Sequence, residues 1–80
     1  MWTTILKLPS GFRRDDTHYE VIIEGRERED STWEGRIVFR GGAVLKKTGR
    51  ETSQPNQAAL EYWATGLEQV FLDGAFDRAQ

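Results

Sequence analysis

His18 is the one side chain whose ordinary pKa lies near neutrality, and Asp15, Asp16 and Glu20 stand close to it in sequence. A histidine–carboxylate couple could shuttle a proton, but useful catalysis also needs a nucleophile or a polarising group beside it. None stands in a recognisable setting. Ser10, Ser31 and Ser53 fall at turn or cap positions, and no serine sits in a glycine-flanked elbow. The chain has no cysteine, which excludes thiol catalysis, disulfides and thiolate-held metals, and a single histidine excludes a multi-histidine metal site within one chain. Asp15-Asp16 and the group Glu27, Glu29 and Asp30 could touch a divalent cation. Neither follows calcium-loop spacing, and both read as solvated turn charges. Gly42 to Gly49 encloses Lys46-Lys47-Thr48, yet no glycine directly precedes the lysine–threonine pair and no helix starts there, as a phosphate loop requires. The expectation is a non-enzymatic protein with no catalytic residue, metal or cofactor.

Binding chemistry is better represented. Residues 35–50 hold Arg36, Arg40, Lys46, Lys47 and Arg50 with no acid, a local +5. Residues 55–80 hold Glu61, Glu68, Asp73 and Asp77 against Arg78, a local −3, and the whole chain is −2. The chain is bipolar rather than polycationic. Arg36, Arg40, Lys46, Lys47 and Arg50 are therefore the nucleic-acid candidates, and contacts through them would be electrostatic and salt-dependent. Trp33 and Phe39 interleave with these cations, but strand alternation sends both rings to the face a helix should cover, so they read as core rather than stacking platforms.

The elements that must position these residues follow from periodicity. Eighty residues make a single domain over 1–80, and 38% hydrophobic with 30% charged residues is ordinary globular usage rather than disorder. A strand over Trp2–Leu8 stops at Pro9-Ser10-Gly11. A second runs Thr17–Glu24, with Tyr19, Val21 and Ile23 on one face. After the polar loop 25–31 a third runs Thr32–Arg40, then Gly41-Gly42 reads as a two-residue turn into a short fourth strand, Ala43–Thr48. That register pairs 39 with 44 and 38 with 45. One amphipathic helix follows, capped by Ser53, with Pro55 in its first turn and Gly74 at its C-cap. Its buried arc is Ala59, Leu60, Trp63, Ala64, Leu67, Val70 and Phe71, with Gly66 inside it for close approach. Phe76 anchors a short tail. The expected class is α+β, a three- to four-stranded antiparallel meander with one C-terminal helix on one face.

One helix cannot cover both faces of a sheet. Leu6, Leu8, Tyr19, Val21, Ile23, Trp33, Ile37, Phe39 and Val44 should meet the helix. The other face should carry Ile5, Ile22, Val38 and Leu45 amid Lys7, Glu20, Glu24, Glu34, Arg36, Arg40 and Lys47. These four aliphatics could be ordinary scattered surface residues, a contiguous interface for a homodimer or protein partner, or a floor covered by the tail with Phe76.

In order of elements, four strands and then a helix, with Gly49-Arg50 leading into a proline-bearing helix start and Trp63 inside, the chain resembles the positive-cofactor-4 type of single-strand-binding coactivator. That resemblance implies a dimer. Without the fourth strand it resembles the plant-type DNA-binding domain that reads DNA from its sheet, although glutamates interrupt that domain's arginine- and tryptophan-rich pattern. Fold likeness does not by itself transfer function. No apolar run approaches the about 18 residues of a membrane span, and the N-terminal arginines follow the apolar stretch rather than precede it. A cytoplasmic location is expected.

Overall fold

Apolar–polar alternation from Thr17 to Arg40 produces two long central strands, and the remaining elements arrange themselves around that pair. The computed structural model describes residues 1–80. In order it forms β1 (Thr3–Lys7), β2 (Phe12–Arg14), β3 (Thr17–Glu27), β4 (Trp33–Gly41), β5 (Val44–Lys47), β6 (Thr52–Gln54), α1 (Gln57–Thr65) and α2 (Gln69–Arg78). β3 and β4 pair antiparallel, with Ile22 opposite Val38 and Gly25 opposite Gly35. β1 and then β2 run along the outer side of β3; β5 and then β6 run along the outer side of β4. The α+β class and the antiparallel sheet are as expected. The sheet has six strands rather than three or four, and there are two helices rather than one.

Each difference has a local cause. Asp15 and Asp16 both have positive φ, 52° and 67°, which makes them the two-residue turn of a hairpin that pairs Arg14 with Thr17 and creates β2. The β4–β5 hairpin turns at Gly42-Ala43, not Gly41-Gly42: Gly42 has φ 56° and Gly41 pairs with Val44. The resulting slip of two residues leaves Val44 and Leu45 on the faces assigned to them, because side chains alternate with period two. Pro55 biases Gln54 toward extended backbone, so Thr52–Gln54 is strand and Ser53 is not a cap. Asn56 caps instead, its Oδ1 accepting the Ala59 N–H at 2.8 Å.

Gly66 ends α1, its N–H bonding back to the Trp63 carbonyl at 3.2 Å, and α2 starts anew after Glu68. Glycine is the poorest helix former after proline, and here it interrupts the helix that the arc from Ala59 to Phe71 predicts. The restart changes the phase. Leu60 and Ala64 are buried from α1, and Leu72, Ala75 and Phe76 from α2, whereas Val70 and Phe71 turn outward. Gly74 lies within α2 and caps nothing.

The core therefore has two parts. Phe76 inserts among Phe12, Tyr19 and Phe39, with ring centroids 4.9–5.5 Å away. Such a cluster supplies most of the apolar burial at that end of a small domain. It also answers the question of the tail: Phe76 lies on the helix side of the sheet, so it does not cover the open face. At the other end Leu60 seats on the facing Gly25 and Gly35. A methyl at Gly35 would lie 2.7 Å from Leu60 Cδ1, and one at Gly25 would collide with Leu60 Cδ2. The two glycines make a slot in the sheet for one leucine.

Arg14 joins β2 to α2 through Asp73 at 2.8 Å and Asp77 at 3.1 Å, and these two carboxylates raise its pKa. No helix is long and apolar enough to cross a membrane.

Candidate functional site

Both helices pack on one side of the sheet, and the other side is left open. Alternation along β3 and β4 places Glu20, Ile22, Glu24 and Arg26 on the open side opposite Arg40, Val38, Arg36 and Glu34. From the flanking strands come Thr4 and Lys7 of β1, Arg13 opposite His18, and Leu45 and Lys47 of β5.

Cross-strand charges on this face are tied together. Lys7 Nζ reaches Glu20 at 2.6 Å, and Arg40 reaches the same carboxylate at 2.7 Å. These two cations, Lys7 foremost, hold the Glu20 pKa down to about 2. Arg36 pairs with Glu24 at 2.8 Å and Arg26 with Glu34 at 2.7 Å, the latter bond lowering the Glu34 pKa. Surface pairs of this kind add little stability individually. Their effect here is to fix the arginine side chains along the sheet. Trp2 lies beside them, the Arg26 and Arg36 guanidiniums standing 4.4 and 4.1 Å from its ring centroid, within cation–π range. In total the face offers Lys7, Arg13, Arg26, Arg36, Arg40 and Lys47 against Glu20, Glu24 and Glu34. It is a net-positive surface on a net-negative chain.

The expected row of four aliphatics is not contiguous. β1 shifts register between Thr4 and Leu6, and the extra residue at this bulge turns Ile5 against the core, close to where a Gly25 side chain would lie. Val38 is only 4% exposed. Ile22 is half-buried and Leu45 is exposed. The open face is thus a charged lattice over an aliphatic floor rather than an apolar patch.

The five basic candidates divide as well. Arg36 and Arg40 are engaged by Glu24 and Glu20 on the open face. Lys46 lies on the opposite face, opposite Phe39, with Nζ 4.1 Å from the Phe76 ring centroid. Lys47 and Arg50 remain free of ion pairs. Arg13 and Trp2 belong to the open face and were missed. Strand parity puts Trp2 with Leu6 and Leu8 on the helix side, and only the bulge at Ile5 brings it, two residues before Thr4, to the open face.

The chemistry candidates do not converge. His18 Nε2 is 3.2 Å from the Ser10 carbonyl, Asp15 and Asp16 form a turn, and Glu20 is occupied by its two cations. Asp30 accepts from the Thr32 N–H at 3.0 Å and hydroxyl at 2.6 Å, and these bonds lower its pKa and order the β3–β4 loop. No group of three or more His, Asp or Glu side chains is placed to hold a metal ion.

A second surface appears where α1 meets α2. Tyr62, Trp63, Leu67, Val70 and Phe71 line a groove of about 500 Å³, with Tyr62 82% and Val70 77% exposed. Trp63 and Phe71 meet edge to face across it at 6.0 Å. Sequence periodicity assigned four of these five to a buried arc, because it carried one helical phase through Gly66. Compared with known protein families, curated proteins and solved structures, the chain matches none.

Proposed function

We propose that this chain is a small non-enzymatic interaction module whose open sheet face receives an acidic surface of a partner protein. One observation carries the reading: a whole sheet face is left without a helix and presents six cations against three carboxylates, four of the cations held in place by cross-strand pairs. Complementary charge steers encounter and fixes register, while Ile22 and Leu45 supply the apolar contact that charge alone lacks. With Ile5 and Val38 withdrawn from the surface, electrostatic recognition is better supported than an aliphatic dock.

A second reading, nucleic-acid binding, is favoured by Trp2 on this same face and by the unpaired Lys47 and Arg50. Glu20, Glu24 and Glu34 oppose it, since they lie where phosphates would approach.

Two measurements separate the readings. A photo-crosslinking side chain replacing Thr4 should capture a discrete partner protein in cells, one replacing Gln57 on α1 should not, and Ile22→Glu should abolish the adduct. Identical adducts at both positions, or adducts that survive Ile22→Glu, would defeat the protein reading. In parallel, mixed-sequence single- and double-stranded oligonucleotides are titrated by tryptophan fluorescence at about 50 and 200 mM salt. Saturable binding that collapses at the higher salt would put nucleic acid first.

A further inference from the structure

We infer that the groove between α1 and α2 receives the β4–β5 hairpin of a second copy of this chain, head to tail. The groove and the hairpin are each apolar at the centre and charged at the rim, with opposite signs. Glu68 lines the groove and takes part in no ion pair within the chain, whereas the cation nearest it, Arg78, 5.6 Å from the Phe71 ring, is already held by Glu51 at 2.6 Å. The hairpin exposes Val44 at 40% and Leu45 at 55%, and Lys47, which makes no ion pair, follows them on β5.

Self-pairing of either surface is disfavoured. Groove against groove would set glutamates on glutamates, and hairpin against hairpin would set lysines on lysines. Groove against hairpin pairs opposite charges around apolar centres, the arrangement of a heterologous rather than a two-fold interface.

Nor can one molecule satisfy itself. The groove lies at the first turn of α2, whereas β5 is tied beyond its last turn by two backbone bonds between Lys47 and Gln80, 2.9 and 3.0 Å. Ten helical residues separate the two surfaces by about 15 Å. The contact is therefore between molecules, and it repeats from one copy to the next.

Sedimentation of the intact chain tests this. The weight-average mass should rise with protein concentration at low salt and fall toward 9.2 kDa at high salt. Val70→Asp in the groove and Leu45→Asp in the hairpin alter exposed positions, so circular dichroism should show both folded, and each alone should be monomeric. Mixed in equal amounts they should form a capped dimer of twice 9.2 kDa and nothing larger, because one intact groove meets one intact hairpin. Glu68→Lys should weaken association by about tenfold or more, and adding Lys47→Glu to the same chain should restore it. A wild-type chain monomeric at every concentration overturns the inference. So does a dimer lost with Val70→Asp but kept with Leu45→Asp, or an association that survives both.

Discussion

Two residues show how much of this structure rests on single hydrogen-bonding groups. Thr48 is 4% exposed, and its Oγ1 accepts the buried Ile37 N–H at 2.9 Å while donating to the Gly49 carbonyl at 2.8 Å. It carries the ladder across the gap between β5 and β6. Thr48→Val keeps the shape and removes the acceptor, so it should lower unfolding free energy by about 1–3 kcal/mol in a urea titration, with Thr48→Ser largely unaffected. Equal loss in both variants would assign the effect to packing instead. Glu20 makes a pH prediction. Its carboxyl is held at about 2 by Lys7 and Arg40, against an ordinary 4.5. A depressed folded pKa means that the unfolded chain binds the proton more readily, so the triad's stabilisation is complete above about 4.5 and is lost as pH falls toward about 2. Carbon-13 NMR of the Glu20 carboxyl should give that low midpoint, and Lys7→Met should move it upward. A wild-type midpoint of 4.5 would mean that the triad is not held in solution.

At the scale of elements, the contact between α1 and the sheet depends on the Gly25–Gly35 slot. Gly35→Ala should destabilise by about 1–3 kcal/mol through overpacking against Leu60. The same change made on top of Leu60→Ala should cost much less, and that non-additivity in a thermal or urea cycle is the signature of the contact. If the two costs simply add, Leu60 does not seat on the glycines. The slot was not legible in sequence, where Gly25 read as the start of a loop. What was legible were β3, β4 and their faces, because alternation over eight or more residues outweighs local ambiguity. Three-residue strands have no such redundancy. Phe12–Arg14 and Thr52–Gln54 exist because a long neighbour offers them a ladder, a tertiary cause that no window of sequence contains. Helix phase failed for a related reason: Ala59 to Phe71 fits one arc, and only the break at Gly66 reveals that Leu72, Ala75 and Phe76 form the second buried stripe. The site suffered the same way. Alternation placed Ile22, Val38 and Leu45 correctly, while one bulged residue moved Ile5 across the sheet.

The whole molecule is elongated, 40 × 21 × 18 Å with a Cα radius of gyration of 12.2 Å, and its charge is divided between a basic sheet face and acidic helices. Small-angle scattering extrapolated to infinite dilution should return a particle of these dimensions. At finite concentration in low salt, the apparent radius should grow. Growth that persists undiminished at high salt would point to a contact not governed by charge. The outer rows of the sheet have a different consequence. On one side β1 and β2 are interrupted at Leu8–Gly11, with Pro9 in the gap and a bulge at Ile5. On the other, β5 and β6 are interrupted at Thr48–Glu51, and Gln80 occupies the free backbone of Lys47. Neither margin presents a long, flat row of unpaired backbone groups, so the protein offers no ready template for strand-by-strand accretion into amyloid.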